Sequence, residues 1–401
     1  MNVTRHITLP KGFRSAGVAC GMKPSGSEDL AIVAADRDAS VAIVTTQNQI
    51  VGAPILWCRQ MIPRGYGKAR AIVINAGNAN VCTGKIGLHD AQTMATETAK
   101  CLGSRPDKIL VASTGIIGRP LPMTRVRRGI TAAAESLSTR NDQVALRAIM
   151  TTDTRAKSAI VKTQIGRKKV TIAGIVKGAG MVAPSLATMI GVLTTDAAIS
   201  PPALKKALFT AVGPTFNAIT IDSDTSTSDM VAILASGAAA NKVIFTGSSG
   251  HRKLTSAVAE VCAKLARAVV ADGEGATKVI EVTVRGARSN REAEMAAKSV
   301  ANSPLFKCAI HGHDPNWGRI AAALGKSAAK VVAEKLAIRV GSIVVFKRGG
   351  ATKFSTAAVA RHLAGTTVKI LCNLGLGSGR FTALTCDLSK EYIEINAHYH
   401  T

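Results

Sequence analysis

An α+β fold in two unequal parts is predicted by three features of this 401-residue sequence. Hydrophobic residues make up 47% of it, enough for one large or two ordinary cores. Segments with helical spacing are interspersed with β-rich runs without the strict alternation of a βαβ series. The texture also changes near residue 278. The glycine-rich segment 273–277 is therefore the expected boundary between a catalytic domain, 1–275, and a smaller α/β domain, 276–401.

Taken in order, β-rich runs are expected at Ala71–Ile74, Ile109–Ala112, Val170–Ile175, Met189–Leu193 and Ala218–Ile221. Asp90 is the expected cap of a helix running to Leu102, which Gly103 ends. Ser200-Pro201-Pro202 opens another, because proline is tolerated in a first helical turn. Over 256–271, Val258, Val261, Cys262, Leu265 and Val269 share one helical stripe. Beyond 278, Lys278–Arg285 alternates as a strand, and Ser289-Asn-Arg-Glu292 is a capping box for a helix to about Val300. Leu305–Ile310 reads as a strand and Ile320–Lys335 as a helix. Gly375-Leu-Gly377-Ser-Gly379 reads as a hairpin turn between Val368–Leu374 and Phe381–Leu384. With no helix after it, it lacks the dipole end that would receive a pyrophosphate.

Composition narrows the function classes. The formal net charge is +26, yet aromatics are only 3%, the basic residues are scattered, and no nucleic-acid-binding signature is present. A solvated basic surface is expected rather than a nucleic-acid partner. No apolar run approaches the ~18 residues of a membrane span, and the N-terminal stretch has neither a secretory nor a mitochondrial presequence pattern. Eight dispersed cysteines without a C-x-x-C pair read as free thiols, most of them buried, in a reducing compartment, which suggests the cytoplasm. His311-x-His313 and His398-x-His400 lack further ligands at helical spacing, so no metal site is expected.

The chemistry is concentrated in Lys177-Gly-Ala-Gly-Met-Val-Ala-Pro-Ser-Leu-Ala187-Thr188-Met189. A glycine-rich stretch runs past a proline into a small residue and a threonine. Attack of the Thr188 hydroxyl on the Ala187 carbonyl would turn the amide into an ester that water can cut. The new N-terminal threonine would carry its own base, since an α-amino group titrates near ~8. On the residues alone, an ordinary glycine-rich turn before a strand is the commoner reading.

Here the sequence resembles the ornithine acetyltransferase family, the bifunctional arginine-biosynthesis glutamate and amino-acid N-acetyltransferases. The likeness extends through Gly77-Asn-Ala-Asn80, Ser113-Thr-Gly115-Ile-Ile-Gly118, Met150-Thr-Thr-Asp-Thr154, Asp224-Thr-Ser-Thr227, Asp272-Gly-Glu-Gly-Ala-Thr-Lys278, Asp314-Pro-Asn-Trp-Gly-Arg319 and Asn396-Ala-x-Tyr-x-Thr401. It implies an αββα-type sandwich with an N-terminal-nucleophile-like site in the larger domain. It implies cleavage between Ala187 and Thr188, and ping-pong transfer of acetyl from N-acetylornithine to glutamate through Thr188. Thr114 and Gly115 match the family's oxyanion hole, and Thr151, Lys177, Thr188, Glu274, Asn396 and Thr401 its substrate contacts. Lys177 is assigned to the substrate carboxylate and Glu274 to its ammonium. No metal or organic cofactor is implied, some members also take acetyl-CoA as donor, and two α and two β fragments assemble. An aminopeptidase or amidase with the same self-generated nucleophile is the alternative enzyme reading.

Overall fold

In the computed structural model, residues 5–183 and 189–398 are described. Ala187, Thr188 and Thr401 therefore lie outside the described residues. Eight strands, β1 (Phe13–Val18), β2 (Leu30–Thr45), β3 (Tyr66–Asn78), β4 (Ile109–Ile116), β5 (Lys157–Ile165), β6 (Lys168–Lys177), β7 (Ile190–Thr195) and β8 (Met230–Ala235), form one mixed sheet. Its order is β4-β3-β2-β8-β7-β6-β5, with β1 beside β2. Interleaved with them are α1 (Ala53–Met61), α2 (Gly84–Cys101), α3 (Met123–Glu135), α4 (Asp142–Ile149), α5 (Pro201–Val212) and α6 (Ser249–Ala271).

Alternation along the strands divides two cores. In β8, Val231, Ile233 and Ala235 pack into the core that holds Leu204 and Leu208 of α5 and Val258 and Leu265 of α6. Met230, Ala232 and Leu234 face a second core, shared with β1–β4 and α1–α4. The long β2 serves both halves because its register shifts between Ala34 and Ala39, a bulge that bends the strand.

A second sheet begins after α6. It has the order β12-β11-β10-β13-β9-β14, with β9 (Val279–Ala287), β10 (Ala337–Val340), β11 (Ile343–Lys347), β12 (Gly350–Ala351), β13 (Thr367–Asn373) and β14 (Gly379–Cys386). Around it lie α7 (Asn290–Ala301), α8 (Pro304–His311), α9 (Trp317–Gly325), α10 (Thr356–Leu363) and the C-terminal α11 (Lys390–His398). Mixed sheets with interleaved helices place the chain in the expected α+β class. Ser289 caps α7 by accepting the Glu292 N–H, as the capping box requires. Among the described residues no helix is long and apolar enough to cross a membrane.

Several local expectations are corrected. The helix expected from Asp90 starts at Gly84, so Asp90 is buried inside α2, where burial raises its carboxyl above the usual range. Leu305–Ile310 is helical: Ser303 caps it, Pro304 occupies its first turn, and Phe306, Ala309 and Ile310 bury at i, i+3 and i+4. A six-residue apolar run does not distinguish the two periods without its cap. Ala218–Ile221 is a 3₁₀ turn followed by a single bridge from Ile219 to Leu384. The helix expected over Ile320–Lys335 begins at Trp317 and ends at Gly325. Residues 375–379 are not a hairpin turn, since β13 and β14 pair with opposite sides of β9 and the loop passes over its end. All eight cysteines are free, but Cys82, Cys101 and Cys308 are exposed.

Candidate functional site

A cavity of about 180 Å³ opens where the end of β4, the end of β6 and the starts of β7 and β8 converge under α11. Thr114, Gly115, Thr151, Lys177, Glu274 and Asn396, all the predicted site residues that are described, line it. They come from positions up to 282 residues apart, so folding alone brings them together. Met189, the residue following Thr188, lines the same cavity and is anchored by the Met230 N–H on its carbonyl at 3.0 Å.

β4 runs through Ser113-Thr-Gly115 to Ile116. Gly115 has φ +127°, and a Cβ there would lie 2.4 Å from the carbonyl carbon of Gly77. Only glycine permits this backbone and this approach of β4 to β3. The conformation holds the Thr114 side chain and the Gly115 amide on the cavity wall. Lys177, the last residue of β6, places its Nζ 3.2 Å from Thr114 Oγ1. A protonated ammonium has no acceptor, so Lys177 donates and Thr114 keeps its own proton to donate elsewhere. Burial pushes the Lys177 ammonium below its usual range; Asp153, Asp229 and Glu274 pull it back up while Lys157 pushes it further down.

Beneath the cavity lies a buried ion cluster that the sequence does not announce. Lys157 Nζ stands 2.5 Å from both Asp153 Oδ1 and Asp272 Oδ2, with all three side chains almost fully inaccessible. Asp153 also accepts the N–H groups of Gly178 (2.7 Å) and Thr151 (3.0 Å), fixing the chain just after Lys177 and at a predicted substrate contact. Burial alone would raise the Asp153 carboxyl. The charges of Lys177 and Lys157, with the Gly178 amide, outweigh it and hold the group below the usual range. Asp272 ties Thr154 and Arg155 to the end of α6. One signal for Lys157 was available: it shares the inward phase of β5 with Ala159 and Val161. Contact between residues 153, 157 and 272 was not readable from their spacing.

Glu274 is only 8% exposed. Its backbone N–H donates to the Ala179 carbonyl at 2.9 Å, and its Oε2 accepts from Asn396 Nδ2 at 2.8 Å. A Cβ on Gly180 would fall 2.4 Å from Oε2, so glycine at 180 makes room for the carboxylate. Asp222, Asp224 and Asp229 also face the cavity, and sequence reasoning assigned no role to Asp222 or Asp229. Among the described lining residues Lys177 is the one cation against these four acids. Among the described residues no three His, Cys, Asp or Glu side chains are grouped to hold a metal ion.

The arrangement can offer hydrogen-bond donors to an oxyanion and an acidic wall to a cationic group, beside Met189. Comparison with known proteins follows the same line. Residues 14–401 match the model of the ArgJ family. The arginine biosynthesis bifunctional protein ArgJ of Chlorobium chlorochromatii is 46% identical over 392 residues, 98% of this chain and 91% of that protein. Its namesake from Symbiobacterium thermophilum is 44% identical, covering 98% of each chain. A crystal structure of arginine biosynthesis bifunctional protein ArgJ from Bacillus halodurans is similar with a TM-score of 0.50 and 43% identity, over 51% of this chain and 97% of that one. With the family model spanning nearly the whole chain and relatives this similar along their full length, the chain belongs to the ArgJ family.

Proposed function

We propose that this ArgJ-family enzyme cuts itself between Ala187 and Thr188 and then moves an acetyl group from N-acetylornithine to glutamate through Thr188. The observation that carries the reading is the meeting in one cavity of Thr114, Gly115, Lys177 and Glu274 with Met189, the residue that such a cut would leave second in its fragment. The coverage of the Bacillus halodurans structure supports it as well. That chain is matched almost entirely, yet it spans about half of this one, in keeping with a protein handled as fragments 1–187 and 188–401.

In this reading the freed α-amine of Thr188 takes the proton of its own hydroxyl, and the oxygen attacks the acetyl carbonyl of the donor. The Thr114 hydroxyl and the Gly115 N–H stabilise the tetrahedral oxyanion, Thr151 lines the donor's path, and ornithine leaves. Glutamate then enters and its amine takes the acetyl group from the threonine ester. The donor's ammonium is held at Glu274, with Asn396 and Thr401 closing the pocket from the 276–401 domain over the 1–275 domain. Lys177 is the cation available to a substrate carboxylate. A cytoplasmic assembly of two α and two β fragments completes the proposal, and acetyl-CoA as a second donor accords with the word bifunctional in the relatives' names.

Incubation of purified protein with N-acetylornithine and glutamate tests the reaction. Acetylglutamate is the expected product, whereas acetate as the main product would identify a hydrolase. The acidic wall adds a second expectation. Glu274→Gln keeps the hydrogen bond from Asn396 but loses the charge, so KM for N-acetylornithine should rise about tenfold or more, the scale of ~1.5–3 kcal/mol for a hydrogen bond to a charged group. An unchanged KM would remove Glu274 from ammonium binding.

A further inference from the structure

We propose that Asp222 is the positioning residue that presents the 181–189 segment for self-cleavage, an inference resting on the cleavage reading above. Its carboxylate takes hold of the chain just before the reactive bond. Oδ2 accepts the Met181 N–H at 2.5 Å and Oδ1 the Val182 N–H at 2.8 Å. The neighbouring residues tighten the grip: the Ile221 N–H donates to the Val182 carbonyl at 2.7 Å, and the Thr220 hydroxyl reaches the same oxygen at 3.3 Å. Two successive amides and the carbonyl that follows them are thus fixed by one short stretch, 220–222.

What is being held is an unfavourable backbone. Met181 has φ +55°, in the left-handed region that side chains other than glycine rarely adopt. Hydrogen bonds from its own amide and the next to one carboxylate are a means of keeping it there. At the other end, Met189 is tied to Met230 and continues into β7. Met181 and Met189, which flank the reactive bond in sequence and both line the cavity, are therefore each tied to the fold. Fixed ends narrow the conformations open to the segment and raise the fraction in which the threonine oxygen can approach the preceding carbonyl.

The step itself conserves atoms. The Thr188 Oγ–Ala187 carbonyl carbon bond forms and the Ala187–Thr188 C–N bond breaks. The hydroxyl proton passes to the nitrogen, and one water then hydrolyses the ester to an Ala187 carboxylate and a free Thr188 hydroxyl. Asp222 touches none of these atoms; it acts through Met181 and Val182.

Charged and titratable groups surround the carboxylate from each neighbouring element. Asp224 lies on its own loop, where its N–H donates to Oδ1 at 3.2 Å. Tyr392 of α11 lies nearby, and burial together with the charges of Asp222, Glu274 and Asp224 pushes its phenol above the usual range. Lys307 of α8 reaches the Ile221 carbonyl, and Cys386 at the end of β14 feels both Lys307 and Asp222. Burial raises the Asp222 carboxyl against the three amides that lower it, with Asp224 raising it further. Protonation removes one acceptor from the grip, so cleavage should slow as pH falls through a midpoint above the ordinary carboxylate range.

The test follows the full-length chain made by cell-free translation and sampled over time at several pH values. Asp222→Asn is expected to lengthen the half-time of cleavage by roughly 10²-fold, the scale on which a small misplacement of reacting atoms acts. It should also abolish the acid limb of the pH profile, which a merely structural role would leave in place. Cleavage of this variant at the wild-type rate, or with the wild-type acid limb, would overturn the proposal. If Asp222→Asn does not fold, Asp224→Asn carries the test. Loss of the neighbouring charge that raises the Asp222 carboxyl should move the acid limb to lower pH, and an unmoved limb would overturn the role. A wild-type chain that is never cut defeats the cleavage reading itself; a normally cut wild type with an indifferent Asp222→Asn defeats only the role given to Asp222.

Discussion

Thr188→Ala is expected to stay a single 401-residue chain, while the unaltered protein separates into fragments 1–187 and 188–401 on a denaturing gel and by intact mass. Acetyl transfer should fall to background, a loss on the order of 10⁶-fold where one nucleophile carries the chemistry. Two losses have one cause here. Without the hydroxyl no ester forms at residue 187, so the amide survives; without cleavage no α-amine is freed, and the proposed nucleophile has no base. Thr188→Ser retains both the hydroxyl and, after cleavage, the amine, so it should be cut and should transfer acetyl. The pair of variants separates loss of chemistry from damage to the fold, since a serine and an alanine differ by one oxygen. A Thr188→Ala chain that still transfers acetyl would refute the mechanism whatever its mass.

How much of this was legible in the sequence depends on the kind of residue. The glycine-rich run 177–180 and Thr188 stand out because a cleavable bond needs a local pattern, and local patterns are contiguous. The strands around them were readable because β6 from Val170 onward and the start of β7 are apolar runs buried on both faces, whereas β8, equally apolar, was not predicted. Asp153, Lys157 and Asp272 were not, because an ion cluster is a property of packing between elements far apart in the chain. Asp222 was hidden for another reason: it lies just after a predicted strand, Ala218–Ile221, but the chain there forms a turn whose Ile221 amide and Asp222 carboxylate face the 181–182 segment. The start of α2 was misplaced because its cap, Thr83, makes no side-chain bond, and that of α8 was missed because the apolar run after Ser303-Pro304 also reads as a strand. Thr114 and Gly115 lay between these cases. Their motif was visible, but its strained glycine and its contact with Lys177 needed the fold.

That contact leads to the second large effect. Thr114→Val preserves the shape of the side chain and removes its oxygen, so kcat should fall roughly 10²–10³-fold with little change in KM, as for loss of one oxyanion donor. Lys177 has two candidate roles that this experiment can be extended to separate. If its ammonium works by binding the Thr114 hydroxyl and leaving that proton free to donate, Lys177→Met should also lower kcat, and the double variant should be scarcely worse than Thr114→Val alone. Residues acting as one unit are non-additive in this way. If Lys177 instead holds a substrate carboxylate, Lys177→Met should raise KM and the two losses should multiply. The pH profile gives an independent reading. The buried ammonium loses its proton below the usual lysine range, so transfer by the unaltered enzyme should decline on the alkaline side earlier than an ordinary lysine would dictate. Lys177→Met has no such proton to lose and should lack that decline. The 3.2 Å separation of Nζ from Oγ1 favours the first outcome, because a lysine turned to the Thr114 hydroxyl directs its charge at the acyl end of the substrate.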